Sequence, residues 1–220
     1  MKQITKTIRK NSLRRIFVYR SCLQRLNLRG VEKVFSYTLA DEAGVTPDQV
    51  RRDFSEFKIK GNKRGGYLIR DLLEKMETMF HRNIDHNLII IGIGNLGLAL
   101  TNYSKFIQPN MKIVAAFDID PSKRKQKTFD IPVYSMDRLE EVITRYGVSV
   151  AIIAVPEISA SEVANELVRY GIKGIVNFAP VPLRTPPDII INNINMGDEL
   201  ESVIYYVHKN NGLLNKDIKY

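Results

Sequence analysis

Apolar positions change their period partway along the chain. Over the first 85 residues they recur every three or four positions, and from residue 86 they gather into short runs separated by helical patterns. Leu13, Ile16, Phe17, Leu23 and Leu26 form much of one apolar helix face, with Arg14, Arg15, Arg20 and Arg25 on it or beside it. Ser36 is predicted to cap a short helix over 37–43, and Gly44 to end it. Thr46, Pro47, Asp48 and Gln49 make a capping-box pattern with proline at the first helical position. The helix that starts there carries Val50, Phe54 and Phe57 inward, while Gln49, Arg51 and Arg52 project elsewhere. Two short helices around a glycine turn predict a helix-turn-helix. Residues 58–69, apolar at both ends of a basic glycine-rich centre, predict a hairpin or wing, and Leu72, Leu73, Met76, Met79 and Phe80 a connecting helix.

Beyond residue 86 the candidate strands are 88–91, 112–118, 131–134, 149–155, 174–178 and 188–194, with helical patterns between most of them. Near-continuous apolar strands such as 150–155 fit a parallel sheet covered on both faces. The fold class is therefore α/β, a winged helix-turn-helix followed by a doubly wound Rossmann domain. Domain boundaries are expected at 1–85, 86–195 and 196–220, the last a terminal helix and tail. That helix, near 197–210, sets Leu200, Val203, Ile204 and Val207 in an apolar stripe, and packing on its own sheet is the default expectation.

Charge sharpens this division. Of the net +9, all lies in residues 1–85, with 19 Lys/Arg against 10 Asp/Glu, whereas residues 86–220 hold 14 of each. A polyanion partner is expected for the first segment and none for the second. A single cysteine, Cys22, excludes an internal disulfide, and His81, His86 and His208 share no metal-ligand spacing, so no metal is expected. No apolar run approaches membrane-spanning length and the N-terminus lacks a signal-peptide core, which predicts a cytoplasmic protein without a membrane partner.

The candidate chemistry lies at the second segment's first turn. An apolar strand runs into Gly92, Gly94, Asn95, Leu96 and Gly97, an apolar helix leaves, and Asp118 closes the next strand 21 residues after Gly97. In that pattern the first glycine permits a tight turn, the second lets backbone approach a pyrophosphate, and the third lets helix and strand pack closely. The helix N-terminus offers N–H groups to phosphates, and the acid accepts from a ribose 2′-hydroxyl while repelling a 2′-phosphate. The pattern favours NAD(H) over NADP(H), a preference that Lys123 and Arg124 soften. Glycines that merely pack a strand against a helix are the alternative, and Asp118 in register argues against it. Val155 and Pro156 after one strand, and Asn177, Phe178, Ala179 and Pro180 after another, fall at strand C-terminal ends, where a dinucleotide should lie. In the first segment Gln49, Arg51 and Arg52 are candidates for major-groove contacts. Lys60, Lys63 and Arg64 on the wing, with Arg15, are candidates for the backbone or minor groove. A solvated basic loop is the plainer reading of the wing.

With these motifs in order, the chain resembles the redox-sensing repressors called Rex. The resemblance rests on residues 45–57, on Gly66 and Tyr67, on 92–97, on Tyr103, on 117–121, on 154–156 and on 171–180. It implies a homodimer with an exchanged C-terminal helix, which reverses the default for that helix. It also implies a double-stranded, palindromic DNA operator released when the NADH/NAD+ ratio is high, and nicotinamide near Tyr103 and the 177–180 loop. The chain departs from the family pattern at Phe17, where a proline is usual, and in the wing at Lys63, Arg64 and Gly65. Ser21 stands where many members carry an arginine, and Asn195 where they carry an aspartate that pairs with that arginine or with the position of Tyr103 in the second copy. Losing both ends of a charge pair is near neutral where losing one is costly, so an altered redox response is expected.

Two other functions fit parts of the sequence. A small NAD-dependent oxidoreductase would use the same glycine turn, and Tyr205 with Lys209 even has a Tyr-x-x-x-Lys spacing, but no substrate domain is left. A dinucleotide-sensing module that binds protein through its winged helix, and not DNA, is the other.

Overall fold

The computed structural model describes residues 10–61, 65–81, 84–107, 110–120, 122 and 130–210. The chain divides into two units, Met1–Ile84 and Asp85–Tyr220.

In the first unit α1 (Lys10–Leu28), α2 (Ser36–Ala43), α3 (Pro47–Glu56) and α4 (Ile69–Met79) surround a core of Ile16, Tyr19, Leu23, Leu39, Val50, Phe54, Ile69 and Met76. Phe17, expected in that core, is 45% exposed and lies against the Phe80 ring at 4.7 Å, while Tyr19 fills the interior. Gly44 ends α2 in the left-handed region, and Thr46 caps α3 by accepting the Gln49 N–H. Ser36, expected as the cap of α2, is inside it. The carbonyl of extended Phe35 already accepts the Leu39 N–H, which starts the helix one residue early.

The wing is also paired differently from expectation. β2 (Tyr67–Leu68) is antiparallel to β1 (Lys33–Val34), a strand the periodicity did not predict, and not to residues 58–60. Lys58 adopts φ 55° as α3 closes, and the Ile59 N–H returns to the Phe54 carbonyl, so this stretch does not extend into a strand. Lys63 and Arg64 lie outside the described residues.

The second unit is a six-stranded, all-parallel sheet, in the order β5-β4-β3-β6-β7-β8. Its strands are β3 (His86–Ile91), β4 (Met111–Phe117), β5 (Val133–Tyr134), β6 (Val150–Ile153), β7 (Gly174–Asn177) and β8 (Ile190–Asn193). The helices are α5 (Asn95–Ile107), α6 (Leu139–Tyr146), α7 (Glu157–Arg169) and α8 (Met196–Asn210). Strand order reverses at β3, flanked by β4 and β6, which makes the turn after β3 the switch point of a doubly wound sheet.

One sheet face is sealed by α6 and α7, whose Leu139, Val142, Val163 and Leu167 pack on Ile89, Phe117, Ala151 and Ile175. On the other, α5 brings Leu100 to Ile90, Ile113 and Ala116. Burial alternates along β6 and β7, with Val150, Ile152, Gly174 and Val176 on the incompletely covered side. The expectation of cover on both faces therefore fails there. The default packing of the last helix fails with it, since Leu200, Val203, Ile204 and Val207 are 49–61% exposed.

Candidate functional site

The C-terminal ends of β3, β4, β6 and β7 build a cleft at the glycine turn. Gly92 follows β3 at φ 94°, and its N–H donates to the Phe117 carbonyl at 2.8 Å. A side chain there would press on the Ala154 carbonyl, and one at Gly97 on the Gly92 carbonyl, whereas a methyl at Gly94 would meet open space. Glycine is required sterically at two positions, and at the third it leaves room above the helix N-terminus. Asp118, 6% exposed, accepts from the Ile93 N–H at 2.8 Å and from the Asp120 N–H at 2.9 Å.

The cleft is a cavity of about 570 Å3, within the range of small-molecule and cofactor sites. Of the candidate residues, Gly92, Gly94, Asn95, Leu96, Asp118, Val155, Pro156, Phe178 and Pro180 line it. Others do not. Gly97 and Ala179 are buried, and Asn177 is 0% exposed with its side chain fully engaged. The Asn177 amide donates to the Val181 carbonyl and to Asn193 Oδ1, both at 2.8 Å, and its oxygen accepts from the Ala179 N–H at 2.9 Å. Asn177 shapes the loop that presents Phe178 and Pro180. The side chain of Tyr103 and all of Lys123 lie outside the described residues. Met136, Ser159 and Val163 also line the cleft and were not predicted from the sequence. Ser159 and Val163 recur at four on the helix after Pro156 and were discoverable, but Met136 follows a stretch without periodicity.

The first unit's candidates form a linked set. Asp53 of α3 is 1% exposed and accepts from Arg15 Nε at 2.6 Å and Nη2 at 2.7 Å, from the Tyr19 hydroxyl at 2.8 Å and from Gln49 Nε2 at 2.9 Å. Burial pushes the Asp53 carboxyl up, but these donors and the Arg15 charge more than offset it and hold it below the usual carboxylate range. Arg15, expected as a DNA contact, is thus bound bidentately within its own unit. Gln49 is half-buried, and its Oε1 accepts from Arg52 Nη2 at 3.1 Å. Arg51 donates to the Ser36 hydroxyl at 2.9 Å and to Asp48. Arg51, Arg52 and Lys60 are all exposed.

Ser21 is exposed and donates to the Phe17 carbonyl within its own helix. Asn195 opens α8, its oxygen accepting from the Gly197 N–H at 3.0 Å and its amide donating to Asp198. Both are neutral. Tyr205 and Lys209 are exposed on α8. Among the described residues no helix is long and apolar enough to cross a membrane, and no cluster of metal-ligating side chains occurs.

A basic winged helix-turn-helix unit followed by a Rossmann unit with an open dinucleotide-type cleft defines a ligand-responsive DNA-binding regulator. Known proteins agree with that class. Residues 7–55 match the family model described as "Putative DNA-binding protein N-terminus", and residues 83–181 that of the CoA binding domain. The redox-sensing transcriptional repressor Rex of Lactobacillus gasseri is 36% identical over 200 residues, covering 91% of this chain and 94% of that protein. Its namesake in Listeria welshimeri is 34% identical over 207 residues, covering 94% and 96%. The crystal structure of RSP in complex with β-NAD+ and operator DNA superposes with a TM-score of 0.89 at 30% identity, over 98% of this chain and all of that one. RSP in complex with β-NADH gives 0.83 at 32% identity, over 99% and 100%. The chain belongs to the Rex family of redox-sensing transcriptional repressors.

Proposed function

We propose that this chain represses transcription by holding a palindromic DNA operator through residues 1–85 and releases it when NADH occupies the cleft of residues 86–195. The observation that carries this reading is the full-length likeness to RSP, whose structures hold NAD+ with operator DNA in one case and NADH in another. The cleft's chemistry supports the same ligand, with an open Gly94 for a pyrophosphate and Asp118 for an adenosine ribose. Arg51 and Arg52, with Lys60, Lys63 and Arg64 of the wing, are the DNA contacts in this reading.

Release requires NADH to favour the arrangement that does not bind DNA. A typical coupling is ~1–3 kcal/mol, or roughly 5–150-fold in operator affinity. The protein acts as a regulator in the cytoplasm, without catalytic turnover. It works as a homodimer whose copies exchange α8: among the described residues the apolar stripe of that helix is exposed and one side of β6 and β7 is incompletely covered. Ser21 and Asn195 are both neutral where the resemblance implies a charge pair, and the redox response of this chain is correspondingly altered.

Gel shifts on a selected palindromic duplex, with NADH and NAD+ titrated separately at two salt concentrations, test the reading. Phosphate-dominated binding must weaken steeply with salt, and NADH must release the complex. Indifference to DNA at low salt, or uptake of neither nucleotide, overturns it. Release by NADH with the full discrimination over NAD+ typical of the family overturns the altered response alone.

A further inference from the structure

Gln49 has a single amide orientation open to it, and chemistry fixes which. The Asp53 carboxylate only accepts, so the group 2.9 Å from its Oδ1 must be the amide nitrogen, and the carbonyl oxygen must face the other way. Arg52 only donates, and its Nη2 lies 3.1 Å from that oxygen. The two contacts demand the same orientation. Asp53 is itself immobilised by Arg15 and Tyr19 from α1, so the fixed point of this chain of bonds is the core of the unit. A glutamine that reads adenine must present its carbonyl and amide together to one base edge. Here each end is already engaged from within the protein. Arg51 is tied to Ser36 and Asp48, whereas Arg52 is exposed and, among the described residues, is steadied at one Nη, which leaves its remaining donors for a guanine edge.

We infer that Gln49 is a positioning residue: it transmits the fixed position of Asp53 to Arg52, and Arg52 reads the base. This rests on the operator-binding reading above, and the test separates the two. Full-length wild-type protein, Gln49→Ala, Arg52→Ala and the double variant are titrated against a selected operator, each of its single-base-pair substitutions and a random duplex.

Arg52→Ala is expected to abolish preference at particular base pairs. Gln49→Ala should weaken preference at those same base pairs by about tenfold, within the range of one bidentate contact. Affinity for the random duplex should not change, and the double variant should match Arg52→Ala. Gln49→Met, which keeps the stem without either polar atom, should repeat the result if alanine unsettles the helix. Preference lost at different base pairs, losses that multiply in the double variant, or no loss in Gln49→Ala overturns the positioning role alone. A wild-type protein without preference for any duplex overturns the operator reading as well.

Discussion

The Asp118 carboxylate accepts the N–H of Ile93 at 2.8 Å, and so the acid at the end of one strand holds the glycine turn that leaves its neighbour. Turn and acid are one unit, so in the proposed reading the group that meets the ribose and the backbone that meets the pyrophosphate are fixed by the same bond. Asp118→Ala should raise the dissociation constant for NADH at least tenfold, through the lost ribose acceptor and a loosened turn, each worth about 1–3 kcal/mol. It should also narrow the preference over NADPH, since the charge that repels a 2′-phosphate is gone. Calorimetric titration with both nucleotides measures this. Unchanged NADH affinity would leave the carboxylate with a purely structural task.

The three glycines of the turn should separate into two kinds. Gly97→Ala drives a methyl into the Gly92 carbonyl and should lower thermal stability together with NADH affinity. Gly94→Ala meets nothing within the protein, so stability should hold while NADH affinity falls by about an order of magnitude where backbone and pyrophosphate approach. Melting curves paired with binding isotherms distinguish them. Equal destabilisation by both variants would show that Gly94 is a folding requirement.

The Asp53 network should give the first unit a particular pH profile. Asp53 titrates below its ordinary value when folded, so its contribution to stability is fully present above about pH 4 and is lost as pH falls from there through the folded value. Burial and the Asp53 contact push the Tyr19 phenol up, so its contribution is present below about pH 10 and is lost as pH rises beyond. Denaturant unfolding across pH should show both limbs, and Asp53→Asn should flatten the acid one. Arg15→Ala, which leaves the buried carboxylate without its cation, should cost about 3 kcal/mol, the low end for a buried pair because Arg15 is 28% exposed. An acid limb of unchanged slope in Asp53→Asn would place the titrating group elsewhere.

A charge on the exposed apolar stripe of α8 should break the proposed dimer. Val203→Asp and Ile204→Asp alter side chains that are 61% and 54% exposed in a single chain, so each chain should still fold. Sedimentation should then report monomers at concentrations where wild-type protein is dimeric, with operator affinity reduced because only one half-site is held at a time. Dimers that persist in both variants would remove α8 from the interface.

Much of this molecule was legible in its sequence because the signals are local. The Thr46 cap and the Gly44 stop are set by neighbours at one helix end, and the interval from Gly97 to Asp118 by a single strand-turn-helix-strand unit, where spacing dictates geometry. The pairing of β1 with β2 was not legible, because the positive φ of Lys58 breaks the extended run that the wing's apolar ends suggest. Nor was Met136, whose place beside Asp118 depends on where the chain returns after β4.

Periodicity and order determined the helices of the first unit and the parallel sheet of the second, since the period of apolar residues decides which faces can be buried. Tertiary structure alone decided which polar groups are left for ligands. Arg15 and Asn177 each look available in the sequence, yet their hydrogen-bonding groups meet Asp53 and Asn193 on separate elements. A buried donor or acceptor must be paired, and its partner is set by packing that no spacing rule records.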